Sequence, residues 1–280
     1  MTPCLRCTLL LCAAAFAGCT SIERLAIPNA RTIEADWTAS AGAADVSHLA
    51  FSEFLARYAT SDRDGVVRIA YGAVSGADAT TLNAYLDTLQ AVDPSTLTRE
   101  GQLAYWINLY NAKTVSVILE HYPVRSIRAI RIHPIDPGPW DEARLYVTGR
   151  PLSLHDIEHG VLRPNWPEAP EIHYLLNCAA VGCPNLGLAA YTAENVGDAL
   201  EQGARRYVND PRGVALQDDG KLRVSKIYAW YREDFGGSDA AVLDHLRRYA
   251  EPALRSRLAE STRIDGYVYD WALNDASDVR

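Results

Sequence analysis

Two cysteines, Cys178 and Cys183, stand in the run HYLLNCAAVGCPNL between His173 and Leu186, and the chain has no others beyond residue 19. A thiol reacts or binds metal as the thiolate, so it needs an imidazole, a cation or other donors beside it. Three chemistries fit this run. One is a disulfide closing a short loop, which an oxidising compartment favours. Another is a nucleophilic Cys183 with Cys178 beside it, served by His173 or His159 as general base. The third is a Cys/His metal site, although the spacing matches no usual zinc signature. His173 and Cys178 differ by five positions and would face opposite sides of a continuous strand. Cys183 follows in a Gly-Cys-Pro turn, where function commonly sits.

A second group lies in SLHDIEHGVLRP, where His155, Glu158, His159 and Arg163 recur at helical offsets of three and four. Read mechanically, H-x-x-E-H is the inverted zinc-peptidase order. His155 and His159 would then hold metal, Glu158 would activate water, and Glu233 is a distant third ligand. The plainer alternative is a Glu158–Arg163 ion pair with a surface His155. In the thiol mechanism Glu158 instead orients the imidazole. Asn108 and Asn111, three apart in YWINLYNAKT, share a helix face. As buried amides they would pin neighbouring loops; as functional groups they would bind substrate near the oxyanion, together with Arg163.

The elements that must carry these residues are legible from periodicity. Arg99 to His121 is the longest helical pattern, capped by Thr98, stopped by Pro123 and apolar around most of its circumference, hence central and buried. Further helices are expected over His48–Tyr58, Asp78–Leu89, Ser153–Leu162, Thr192–Val208, Ser225–Arg232, Asp239–Tyr249 and Pro252–Glu260. Ser153 with Asp156 forms the cap of the third of these. Strands are expected at Val66–Ile69, Leu145–Thr148, Ile172–Asn177 and Tyr267–Trp271, with a hairpin over Val214–Val224 turning at Asp218-Asp219-Gly220. The sum is an α+β fold: a helix-rich single domain around a buried central helix, with a small, mostly antiparallel sheet.

The chain has 280 residues, 48% of them hydrophobic and 9% aromatic, which suits a packed globule and not a disordered chain. Its net charge is −8, and −9 once Arg6 is lost with the leader, with no basic stripe, so nucleic acid is not an expected partner. Arg6, the apolar run Leu9–Phe16 and Ala17-Gly18-Cys19 form a signal peptide over residues 1–18. The apolar run is too short to span a bilayer. Phe16-Ala17-Gly18-Cys19 resembles a bacterial lipobox, which implies lipid on Cys19. With no Asp following it, the expected location is the outer membrane, the domain facing the periplasm. Residues 19–46, rich in Ala, Ser and Thr, are expected to be a flexible tether, and residues 47–280 the domain.

Six segments, AYWINLYNAKT, LSLHDIEHGVLRP, IHYLLNCAAVGCPNL, AYTAENVGDALEQGARRYVND, VSKIYAWYREDFGG and YDWALND, resemble in this order the bacterial domain-of-unknown-function 547 family across about residues 48–275. The resemblance takes in Asn108, Asn111, Ile157-Glu158-His159 with Arg163, and His173 through Pro184, and leaves His155 outside. What it implies is a Cys/His/Glu/Asn cluster similar in residue types to papain-like and transglutaminase-like sites. The leading expectation is a membrane-anchored, cofactor-free, thiol-dependent hydrolase or acyl transferase acting on amide or peptide-like substrates. A non-catalytic envelope scaffold and the zinc hydrolase are the alternatives.

Overall fold

The computed structural model describes residues 33, 37, 42, 46–131, 138–142 and 145–276. The leader and Cys19 lie outside them. Helix α1 (Leu49–Tyr58) runs into the hairpin β1 (Ala59–Ser61) and β2 (Val67–Ile69), followed by α2 (Gly76–Gln90). The central helix α3 spans Arg99–His121, with the Thr98 hydroxyl accepting from Gly101 N at 3.0 Å. Its Tyr105, Trp106, Ile107 and Leu109 are wholly buried. Trp37 stacks on Trp106 at 5.2 Å and donates to Thr148 Oγ1 at 3.1 Å. The stretch expected to be a tether is therefore docked at this residue, where a large aromatic side chain is buried and its N–H is satisfied.

Strands β3 (Leu145–Val147) and β4 (Arg150–Leu152) form a second hairpin. After α4 (Val196–Val208), strands β5 (Val214–Leu216) and β6 (Leu222–Ser225) pair antiparallel, and the short α5 (Ile227–Trp230) follows. Helices α6 (Asp239–Tyr249) and α7 (Pro252–Glu260) lead to β7 (Gly266–Val268), parallel to β6. The single small sheet expected from the sequence is thus three small sheets, antiparallel apart from the β6–β7 pair.

Two segments depart from expectation, and both carry the site. Ser153 and Asp156 do cap a helix, each side chain accepting from the other's backbone N–H. From Asp156 to Leu162, however, it is a π-helix. Pro164 lacks an N–H, and its ring would meet the Gly160 carbonyl in a regular α-helix. That carbonyl instead accepts from Ile33 N at 2.9 Å. The expected strand over 172–177 is a 3-10 turn, Pro170–Tyr174, followed by irregular chain. It runs along the seam between two apolar clusters: Ile172, Leu175 and Leu176 pack into the one around α3, Tyr174 into the one under α6. A segment that must send neighbouring side chains into two cores has no use for strand alternation.

Candidate active site

The loop Cys178–Cys183 is held on every side. Asn177 Oδ1 accepts from Ala179 N at 2.9 Å, and Asn177 Nδ2 donates to Pro184 O at 2.9 Å. Ala179, which occupies the left-handed region at φ 58°, receives Asn274 N on its carbonyl. Val181 N and Gly182 N donate to Ala272 O and Asp270 O, both at 2.8 Å. Arg212 Nη1 donates to the carbonyls of Val181 and Cys183, and Tyr207 donates to Gly182 O at 2.6 Å. The backbone passes so close to Asp270 that a Cβ on Gly182 would sit 2.6 Å from Asp270 N.

This scaffold sets Cys178 Sγ and Cys183 Sγ 2.6 Å apart, both as free thiols. Cys183 Sγ accepts from Cys178 N at 3.1 Å and from the Tyr269 hydroxyl at 2.9 Å. Burial opposes a charge on Cys183, but these donors outweigh it and lower its pKa. Cys178, donating to Cys183 and buried, is pushed well up and remains a thiol. Among the described residues neither sulfur hydrogen-bonds an imidazole, so the expected cysteine–histidine contact is replaced by hydroxyl, thiol and amide donors.

The histidines belong to a charged network next to it. His173 Nε2 donates to Asp234 Oδ2 at 2.7 Å, and Nδ1 faces Glu158 Oε1 at 3.7 Å. Tyr231 stacks on the ring at 3.9 Å. Burial alone would lower its pKa, but the flanking carboxylates raise it, so His173 is an imidazolium. With Nε2 donating to Asp234 and Nδ1 protonated towards the Glu158 carboxylate, the ring has no lone pair for a base. Burial would raise Glu158, yet His173, His159 and Tyr231 hold it down at about 2. Arg163 grips Asp234 through Nε at 2.6 Å and Nη2 at 2.8 Å, and its Nη1 donates to His159 Nδ1 at 2.9 Å. Asp234 lies below the usual carboxylate range: burial is opposed by His173 and Arg163. The expected Glu158–Arg163 pair is therefore an Asp234–Arg163 pair. His159 is pushed down to about 4 by burial, with the Glu158 charge opposing and His155, Arg163 and His173 adding to it. Because a guanidinium only donates, Nδ1 of the neutral ring accepts and Nε2 carries the hydrogen.

Cys178, Cys183, His155, Glu158, His159 and His173 all line one cavity of about 250 Å³. Its other walls include Tyr110, Arg128, Trp140, Trp230, Tyr231, Tyr269 and Trp271. Asn108 and Asn111 are not among them. Asn108 bonds both N and O of Tyr191, while Asn111 bonds Leu175 O and Asn177 N, so each amide pins a loop to α3. Arg163 stands behind the wall and acts through His159 and Asp234. His155 Nδ1 pairs with Asp141 at 2.8 Å. Glu233 is exposed and outside the lining, and among the described residues no three His, Cys, Asp or Glu side chains gather as a metal site. The zinc alternative lacks its third ligand, since the turn after α5 directs the neighbouring Asp234 inward instead.

With both cysteines, Glu158, His159 and His173 in one cavity, the comparison with known families bears directly on the site. Residues 94–208 match the family described as "Protein of unknown function, DUF547". The DUF547 segment contains both cysteines, Glu158, His159, Arg163 and His173. Asp234, Tyr231, Tyr269 and the tryptophans of α5 and the C-terminal chain lie beyond it, so the cavity is closed by chain outside the match. Comparison with curated proteins and with solved structures returned no match. Asp234 and Tyr269 escaped the sequence reading. Both lie in WYREDFGG and YDWALND, segments expected to resemble the family but beyond the matched residues 94–208, and such a resemblance marks segments, not roles.

Proposed function

We propose that this domain is a thiol-dependent hydrolase or acyl transferase with Cys183 as nucleophile. The observation that carries this reading is the set of donors on Cys183 Sγ: Cys178 N–H, the Cys178 thiol and the Tyr269 hydroxyl. They favour a thiolate before substrate arrives, so attack needs no imidazole to remove a proton. The thiolate forms the carbon–sulfur bond to a substrate carbonyl, and the charge on the carbonyl oxygen needs a donor within the cavity. His159, neutral with hydrogen on Nε2, is such a donor, while the His173 imidazolium adds positive charge nearby. Collapse breaks the carbon–nitrogen bond, and the amine leaves with a proton from Cys178 or Tyr269, the nearest donors to the sulfur. Water or a second amine then releases the acyl group. The aromatic walls suit an apolar or planar acyl portion.

The same reading places the domain at the outer membrane, facing the periplasm and held by lipid on Cys19, on the strength of the lipobox-like leader.

Acid-quenched mass spectrometry with a p-nitrophenyl ester and a peptide amide tests the chemistry. An acyl adduct on Cys183 that vanishes in Cys183→Ala is the expected result. Turnover that persists in Cys183→Ala, or an acyl group found elsewhere, overturns it.

A further inference from the structure

A buried and a half-buried thiol brought together by this much backbone serve more than a single nucleophile requires. The loop that carries them is fastened by Asn177, Tyr207, Arg212 and the chain 270–274, and Ala179 is kept in a left-handed conformation to close it. A non-glycine residue is strained in that region and persists there only where the surroundings over-determine it. The outcome is sulfur against sulfur at 2.6 Å, with no metal-ligand group about them among the described residues. A disulfide needs roughly 2.05 Å, so the two sulfurs already stand within about half an ångström of bonding distance.

We propose that Cys183 is a site of oxidation by hydroperoxides and that Cys178 is its resolving thiol, the pair cycling between dithiol and disulfide. In the first step the Cys183 thiolate attacks the terminal oxygen of a hydroperoxide. A sulfur–oxygen bond forms, the oxygen–oxygen bond breaks, and the leaving alkoxide or hydroxide takes a proton from solvent to depart as alcohol or water, giving the sulfenic acid. In the second step Cys178 sulfur attacks Cys183 sulfur. The sulfur–sulfur bond forms, the sulfur–oxygen bond breaks, and the thiol proton leaves with hydroxide as water. An external dithiol reduces the bridge and restores both thiols.

Geometry assigns the roles. Cys183, which lines the cavity, takes the Cys178 N–H at 3.1 Å and has the Tyr269 hydroxyl closer, at 2.9 Å against 3.1 Å for Cys178, whereas Cys178 is the more accessible to the dithiol that reopens the bridge. The adjacent thiol intercepts the sulfenic acid before a second peroxide can carry it to sulfinic acid, a step that is not ordinarily reversed. The inference stands apart from acyl transfer, since it needs the sulfurs alone. If both hold, the bridge withdraws the nucleophile and silences the enzyme until reduced.

The test uses the full chain treated with hydrogen peroxide, then blocked with iodoacetamide and digested, so that the peptide carrying Cys178 and Cys183 is weighed apart from Cys4, Cys7, Cys12 and Cys19, with dimedone present in a parallel arm. The expected result for the natural protein is joint loss of both thiols to an intramolecular bridge, fully reversed by dithiothreitol, without a dimedone adduct. Cys178→Ser should accumulate dimedone on Cys183 in the dimedone arm and, in the arm without it, progress to sulfinic acid at least tenfold faster than the natural protein. A natural protein that reaches sulfinic acid as fast as Cys178→Ser, or keeps both thiols alkylatable while bulk free thiols are consumed, overturns the proposal. Ester or amide turnover enters neither readout, so failure of the hydrolase reading and failure of this one are separately visible.

Discussion

One asparagine and four titrating side chains show how individual groups set the behaviour of this site. Asn111 serves the Leu175 carbonyl and the Asn177 N–H at once, both buried beside the cysteine loop. Asn111→Ala strands two backbone groups, each costing about 1–3 kcal/mol when left unpaired. Urea denaturation is expected to show a loss of at least about 2 kcal/mol with an unchanged slope; a smaller loss means that water replaces the amide. Acid should also act through named groups. His159 and His245 are held down at about 4, first by burial, below the roughly 6.5 of an exposed imidazole. Between those values the unfolded chain takes up protons that the fold excludes. Their contribution is whole above about pH 6.5 and drains as pH falls towards 4. Glu158, held at about 2, contributes fully above about 4.5 and is lost only as pH falls through about 2. His173 runs the other way, since its raised value gives a contribution that is full below about 6.5 and lost as pH rises through the folded value. The urea midpoint is expected to decline below pH 6.5 and again below 4.5, and His245→Asn, remote from the thiols, should flatten the upper decline. An unchanged slope in that variant would mean burial of these rings is not its cause.

The loop and the π-helix position the chemistry as units. The turn of π-helix over Asp156–Leu162 presents Glu158 and His159 to the cavity while Arg163 reaches behind them to Asp234. Opposite it, the cysteine loop docks edge-on to the C-terminal chain, with Gly182 where a side chain has no room. Gly182→Ala forces a Cβ against the Asp270 backbone, so the loop or its partner must give way. The expected cost is about 1–3 kcal/mol, as for other overpacked positions. Iodoacetamide should also modify Cys183 at least several-fold more slowly near neutral pH, because the Tyr269 and Cys178 N–H donors no longer converge on its sulfur. A variant with lower stability but the same alkylation rate would show that the donor set does not depend on this docking.

Taken together, the chain assembles its cavity from parts far apart in sequence. Tyr110 comes from the central helix, Glu158 and His159 from the π-helix, the thiols from the seam between the two clusters, and Tyr231, Tyr269 and Trp271 from the C-terminal third. The DUF547 segment supplies the thiols, the histidines and the aromatic walls Tyr110 and Trp140, but residues 209–276 supply Asp234 and the walls Trp230, Tyr231, Tyr269 and Trp271. Anchoring is argued from the leader. Cys19→Ser is expected to move the protein from the membrane pellet to the soluble periplasmic fraction, and retention in the pellet would remove the lipid from the proposal. Among the described residues no helix is long and apolar enough to cross a membrane, which is compatible with a lipid anchor and does not test it.

Local patterns carried the elements whose causes are local. Thr98 and Pro123 bound α3, Ser153 with Asp156 starts the π-helix, and Gly220 in its left-handed conformation turns the β5–β6 hairpin, each by a cap or a turn written in adjacent residues. The concentration of Cys, His and Glu in two short segments likewise marked the site, because reactive side chains are informative wherever they stand. Partnership was another matter. Nothing in HDIEHGVLRP shows that Arg163 passes over Glu158 for Asp234, 71 positions away, or that His173 is clamped between two carboxylates. The 172–177 run reads as a strand because apolar residues in a short stretch look alike whether they enter one core or two. Which acid meets which base, and which donor meets the sulfur, depends on long-range packing of loops whose ends are fixed elsewhere, and only the folded chain decides it.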